Sequence, residues 1–265
     1  MPSRHTLRLL PILMLLFTLM VLSGFAAHRV ARQLGLADLQ TTGLHRLDLY
    51  TASLEREIGK YAFLPGTLGL ERDVLALLGK NDDGSLAPRV NAYLEQLNER
   101  AGTLSIYVID TAGRVVASSN WRRADSFIGE DLAFRPYFRE AMDSGSGRFF
   151  GIGTTRGEPG YYLASTLADD SQTVGIAVIK VSLEQLEKSW STVEAPAMVS
   201  DENGVVILGS VADWKFTTLR TLDETTRSAF DQTQQYNRRA LKPLGLNEIS
   251  ELEHGARLVS IAKEA

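Results

Sequence analysis

A lysine inside an apolar run is the first residue here whose type and place could do chemistry. In Val174-Gly175-Ile176-Ala177-Val178-Ile179-Lys180-Val181, successive side chains of a strand would alternate between two faces, and both faces are apolar. The pattern predicts a central strand covered on both sides. Lys180 shares a face with Val174, Ile176 and Val178. A cation there needs an anionic partner, unless its long stem carries the ammonium out to water at the strand end. Both placements are open from these residues alone. Arg135 is the second such residue. It stands in Phe134-Arg135-Pro136-Tyr137-Phe138, where Pro136 marks the first turn of a helix. A basic residue at a helix start is unfavourable against the dipole, and a bound anion would reverse that. A surface pairing with Glu130 or Asp131 would also account for it.

Between these two cations lie Gly153, Thr154 and Thr155, a small polar stretch with two hydroxyls and room for close backbone approach. Tyr161 and Tyr162 follow on opposite faces of a strand, so at most one of them lines a given cavity. One arginine and one lysine with hydroxyls and aromatics suit a small ligand carrying two carboxylates. Arginine would hold its carboxylate through two parallel bonds and lysine would act as a point charge. No catalytic carboxylate pair, Ser-His-Asp set or phosphate loop accompanies them. Gly151-Ile152-Gly153 is not a dinucleotide motif, because no helix start follows it.

The elements that must position these residues can be read along the chain. Leu9 to Ala27 is almost wholly apolar and approaches the roughly 20 residues that span a bilayer. Arg4, His5 and Arg8 precede it, which predicts residues 1–8 in the cytoplasm, 9–27 as a transmembrane helix and the rest exported. A cleaved signal peptide is the competing reading, with small Gly24 and Ala26 at the positions a peptidase would inspect. From His28 to Lys60 a stripe of Leu34, Leu36, Leu39, Leu44, Leu47, Leu54 and Ile58 predicts a long helix, assigned to residues 28–63. Some 30 residues would make a rod of roughly 45 Å. Leu64-Pro65-Gly66 is expected to break it. Short helices are expected around Leu70–Leu78 and Arg89–Arg100, with Asn81-Asp82-Asp83-Gly84 as loop.

A strand, Asp110-Thr111-Ala112-Gly113 and a second strand over Val115–Ser118 then predict a hairpin. The unit returns as Ala197–Ser200, Asp201-Glu202-Asn203-Gly204 and Val205–Leu208. Such a repeat argues for two related lobes, 64–190 and 191–265, in an α+β arrangement with antiparallel sheets. Composition adds exclusions. Of 265 residues 44% are hydrophobic and the net charge is −4, with no basic stripe, so nucleic acid is not an expected partner. With no cysteine there is no disulfide framework and no thiolate site. The four histidines are scattered, so no metal site is expected.

Taken whole, the stretch from Asn91 to Leu186 resembles the sensor region of C4-dicarboxylate sensor histidine kinases of the DctB type. The resemblance rests on NAYLEQLNERAGTLSIYVIDTAGRVVASSNW, FRPYF, GRFFGIGTTRGEPGYYL and VIKVSLEQLE, and weaker similarity extends from about Leu34 to Trp214. It implies a long dimerising helix followed by tandem PAS-like (Cache) lobes, a membrane-distal ligand-binding lobe and a membrane-proximal one. It implies succinate, fumarate or malate as ligand, with Arg135 and Lys180 as the carboxylate-binding pair. Gly153, Thr154 and Thr155 would be the closing loop, and Tyr162 a further ligand residue. The second repeat has no RPYF or GTT counterpart, so it is expected to relay rather than bind. A homodimer, an inner-membrane location with a periplasmic sensor and a response regulator are implied too, and a dicarboxylate transporter is a further expected partner. The second lobe reads as partial, and no kinase motif occurs, so ATP and Mg²⁺ would belong to a kinase region outside this chain. The same sensor fused to a chemoreceptor or a cyclic-dinucleotide enzyme is the alternative, as is an anchored binding or scaffold protein without signalling output.

Overall fold

One helix, α1, runs unbroken from Arg4 to Gly59 in the computed structural model, which describes residues 4–79, 84–192, 195–251 and 257–261. The expected apolar segment and the expected rod are therefore one element, with no turn between them. Among the described residues it is the helix long and apolar enough to cross a membrane. Its large apolar side chains from Met14 to Phe25 are exposed, and so are Leu34, Leu39, Leu44 and Leu47 farther along. The chain divides into two compact units. One comprises the described residues up to Ala52 with Asn247–Ile261, and the other runs from Ser53 to Leu246.

The end of α1 differs from the expectation in detail. The break falls at 60–63, and Leu64-Pro65-Gly66 lies inside a short helix, α2 (Leu64–Thr67), with the proline in its first turn. Proline there costs nothing, because its missing N–H would have had no helical partner. A 3₁₀ turn (Leu68–Leu70), α3 (Arg72–Leu78) and α4 (Leu86–Ala101) follow. Most of the Asn81–Gly84 stretch read as loop lies outside the described residues; Gly84 has φ +90°.

The second unit is organised around one antiparallel sheet. Its strands are β1 (Ser105–Asp110), β2 (Val115–Ser118), β3 (Ser146–Ile152), β4 (Pro159–Asp169) and β5 (Gln172–Val181). Their order is β2-β1-β5-β4-β3, so β5 is the central strand that its unbroken apolar pattern predicted. One face of β5, with Ile176 and Val178, packs against α5 (Pro136–Ser144) through Tyr137, Phe138 and Ala141. The other, with Ala177, Ile179 and Val181, packs on Leu68, Val74, Val90 and Leu94 of the preceding helices. A helix α6 (Glu184–Ser191) leads out of the sheet, and Trp190 Nε1 donates to Ser53 Oγ of α1 at 3.2 Å.

The repeated hairpin has the same wiring twice. Asp110 Oδ1 accepts from the N–H groups of Ala112 and Arg114, and Asp201 Oδ1 from those of Asn203 and Val205. Gly113 and Gly204 take φ +92° and +83°, where a side chain is strained. Beyond the hairpins the two repeats diverge. The second hairpin, β6 (Met198–Ser200) with β7 (Val206–Gly209), is a two-stranded sheet. Around it lie β8 (Thr217–Thr218), α7 (Glu224–Thr233) and β9 (Lys242–Pro243), where β8 and β9 pair in parallel. In the other unit, β10 (Leu246–Glu251) pairs with β11 (Arg257–Ile261). Among the described residues the second repeat thus builds no five-stranded counterpart of the first.

Instead, the repeats share a core. Phe149 of β3 belongs to the cluster around α5, whereas Phe150 and Ile152 cluster with Val205, Phe216, Leu222, Phe230 and Tyr236. The Phe150 and Ile152 side chains project from one face of the edge strand β3 and fill part of the core of the second repeat.

Candidate functional site

Arg135 is the residue before α5 and has extended backbone angles, φ −71° and ψ 135°. That conformation is imposed by the following proline, and it turns the side chain inward. The guanidinium is 2% exposed and does not pair with Glu130 or Asp131. It donates to Ile152 O at 2.9 Å, and to Thr233 O and Gln234 O at 3.2 Å each. The last two carbonyls end α7, where the helix dipole favours a cation. The charge also lies over the Phe134 and Phe149 rings, at 5.4 and 5.7 Å from their centroids.

Lys180 is buried as well, at 3% exposed, so the solvent-reaching placement is the wrong one. Its ammonium donates to Glu158 O at 2.7 Å, and the Glu158 carboxylate is 3.9 Å away. Burial lowers its pKa to about 8; Glu158 opposes the shift, while Arg156 and Arg135 add to it. The stem lies against Gly160. A Cβ there would stand 2.6 Å from Lys180 Cε and 2.8 Å from Cγ.

The two cations line one small cavity, of about 20 Å³, together with Gly153, Thr154, Thr155 and Tyr162. All six residues singled out from the sequence are thus brought to one place. Tyr162 is the member of the tyrosine pair that faces this cavity, and Tyr161 lies on the other side of β4. The structure adds residues that the sequence reading did not single out: Ser105, Tyr107, Phe127, Glu130, Tyr137 and Arg156. Period-two alternation along β1 would have put Ser105 and Tyr107 on one face, and Tyr137 sits two residues after Arg135. Nothing local marks Arg156, and Glu130 was named only as a surface partner for Arg135.

Aromatic rings form the wall. Tyr137 stacks on Tyr162 with centroids 5.1 Å apart and planes 9° from parallel. Tyr107 and Tyr137 share a hydrogen bond between hydroxyls at 2.9 Å. Burial pushes the Tyr137 phenol up to about 12 and the Tyr107 and Tyr162 phenols well up, so all three stay protonated at neutral pH.

The loop over the cavity is held from several sides. Gly153 N–H donates to Glu158 O at 3.0 Å, and Gly157 N–H to Gly153 O at 3.0 Å. Thr155 Oγ1 donates to the Glu130 carboxylate. Asn237 Nδ2 donates to Gly153 O at 3.2 Å from beyond α7. The same segment exchanges bonds with β3: Ile152 N–H donates to Gln235 O at 2.8 Å and Gln235 Nε2 to Phe150 O at 3.2 Å. Next to it, Tyr236 Oη donates to Asp201 at 2.7 Å, in the turn of the second hairpin. Arg135 and the loop are therefore wired to residues 233–237.

Known proteins resemble this chain in sequence and in fold. Over 256 residues, 96% of the chain, it is 37% identical to the C4-dicarboxylate transport sensor protein DctB of Pseudomonas aeruginosa. Over 216 residues, 81% of the chain, it is 32% identical to the protein of that name from Rhizobium meliloti. The matches cover 41% and 35% of those relatives, so the chain spans about two fifths of their length. No family model matches the chain. Its fold superposes on the sensor domain of the V. cholerae histidine kinase DctB with a TM-score of 0.77 and 27% identity, covering 86% of this chain and 87% of that one. The sensory domain of the Campylobacter jejuni chemoreceptor Tlp3 shares the fold alone, with a TM-score of 0.52, 13% identity and coverage of 70% and 76%. Over nearly its whole length the chain is homologous to part of the sensor protein DctB, and its fold is that of a DctB sensor domain.

Proposed function

We propose that this chain is the extracytoplasmic sensor region of a two-component histidine kinase and that its cavity takes a C4-dicarboxylate such as succinate, fumarate or malate. One observation carries the reading: a buried guanidinium and a buried ammonium line the same small cavity, with tyrosine hydroxyls and Thr154 beside them. Two fixed cations reward a dianion over a monoanion. The planar guanidinium suits a carboxylate approached edge-on, and the lysine adds a point charge. The relatives' names agree with this ligand class. Arg135, Gly153 and Asn237 connect the cavity to the second repeat, which is the proposed relay.

The topological part of the proposal has residues 1–8 in the cytoplasm, residues 9–27 of α1 in the inner membrane and the rest of the chain in the periplasm. Leu34, Leu39, Leu44 and Leu47 are exposed on α1, and their covering is proposed to be the same helix of a second copy. Sedimentation in detergent checks this: a dimer is expected, and a strict monomer would count against it. A kinase region using ATP and Mg²⁺ would act on a response regulator, and a dicarboxylate transporter would be a further partner. The fold is also that of a chemoreceptor sensory domain, so fold leaves the output open. The DctB relatives favour the kinase.

Thermal unfolding of the anchored chain tests the ligand. Succinate at about 100 times its Kd should stabilise by about 2.7 kcal/mol. For a unit of this size that raises Tm by about 5–10 °C. Butyrate, which lacks the second carboxylate, should act weakly. If none of the three C4-dicarboxylates shifts the transition, the ligand assignment is wrong. Gly160→Ala offers a structural check. The added methyl cannot coexist with the present Lys180 stem. Succinate affinity should fall by about tenfold or more, as part of a buried charge contact is lost.

A further inference from the structure

Among the described residues, Ser105 Oγ is the buried side-chain oxygen that has no hydrogen-bond partner. Such groups are rare in folded proteins, and each has a reason. Ser105 is 2% exposed and lies at the start of β1, where the next residues, Ile106, Tyr107, Val108 and Ile109, are all buried and apolar. A hydroxyl is the odd member of that run, and alanine would fill the position with nothing left unpaired. Its placement supplies the reason. Ser105 is the cross-strand partner of Lys180 in the β1–β5 register, and partnered residues project from the same face with their Cβ atoms close together. Both residues line the cavity, and Tyr107, two positions on, lines it from the same face.

We propose that Ser105 is a ligand-binding residue, donating its hydroxyl hydrogen to the carboxylate that Lys180 holds. The proposal rests on the dicarboxylate reading above. A carboxylate has about four lone-pair sites, so one group can accept from the ammonium and from a neighbouring hydroxyl at once. A hydroxyl donating to an anion makes a short, charge-assisted bond, stronger than any it could make to a neutral acceptor. A serine hydroxyl rotates freely about its Cβ and needs no change in backbone to find that acceptor.

The test is Ser105→Ala in the full anchored chain, with two measurements on each protein: Tm without ligand and the succinate Kd by calorimetry. Removal of an unpaired buried hydroxyl should leave the unliganded Tm unchanged or raised. Succinate should bind about 10- to 100-fold more weakly, as when a hydrogen bond to a charged group is lost. A Kd within twofold of wild type overturns the assignment of Ser105 alone, because the wild type then binds succinate without it. A fall in unliganded Tm overturns it too, since that result marks a structural hydroxyl. If the wild-type chain binds none of succinate, fumarate and malate, the dicarboxylate reading fails and Ser105 falls with it.

Discussion

Arg135→Ala should abolish succinate binding and, unlike an ordinary binding-site substitution, should also destabilise the unliganded protein. The guanidinium satisfies the carbonyls of Ile152, Thr233 and Gln234 in a buried setting. Each buried carbonyl left without its donor costs about 1–3 kcal/mol, partly offset because a charge is no longer buried, so a net loss of about 3–5 kcal/mol is expected. For a unit of this size the melting temperature should drop by roughly 10 °C. Arg135→Lys separates the two roles. It keeps a charge near the end of α7 but cannot reach three acceptors in one plane. Its Tm should fall between those of the wild type and the alanine variant, with binding still lost. An alanine variant that melts with the wild type would show that these carbonyls are not held by Arg135.

Lys180→Met should show the opposite combination. Loss of a buried charge contact costs a ligand about 2–5 kcal/mol, so succinate affinity should fall by roughly 30- to 5,000-fold. The unliganded protein should hold or gain stability, because methionine fills the slot beside Gly160 without a charge to desolvate. The pH dependence follows from the same cause. The folded-state pKa of Lys180 is about 8, below the ordinary 10.5. Between those values the unfolded chain binds more protons than the folded one, so this residue's contribution to stability improves as pH rises through the window. Below about pH 8 its burial penalty is present in full. Above pH 10 the buried phenols, held protonated by the fold, work in the other direction. Ligand affinity runs against the lysine's effect on stability: a neutral amine offers the carboxylate no charge, so binding should weaken as pH climbs past 8. Calorimetric titrations and melts at pH 7 and 9 on the wild type and Lys180→Met check both signs. A variant with the wild type's pH profile would exclude Lys180 as the titrating group.

Much of the site was legible because its signals are local. The apolar alternation around Lys180 requires only a two-residue period and the observation that both faces are apolar. It correctly identified β5 as the strand covered on both sides. The Asp-x-x-Gly turns are closed within five residues by one aspartate, so both hairpins could be read directly. Arg135 next to Pro136 marked a helix start from the chain alone. The expected break at Leu64-Pro65-Gly66 was misplaced for a related reason: proline rules out a helix interior but fits a first turn, and the residues themselves do not say which applies.

Other features depend on residues far apart in the chain. Arg135 finds its acceptors 17, 98 and 99 positions away. Those carbonyls exist as acceptors only because α7 ends beside β3, and no short window of sequence contains that encounter. The repeated hairpin suggested two related lobes, but nothing in either repeat announces that Phe150 and Ile152 of the first would enter the core of the second. For Lys180, the sequence by itself determined the strand, the face and the residue types available to a dianion. The tertiary structure decided that its ammonium is buried and that Ser105 is its neighbour. It also decided that the cavity is tied to the second repeat. The physical reason is that strand pairing and core packing join positions whose separation in sequence leaves no periodic trace.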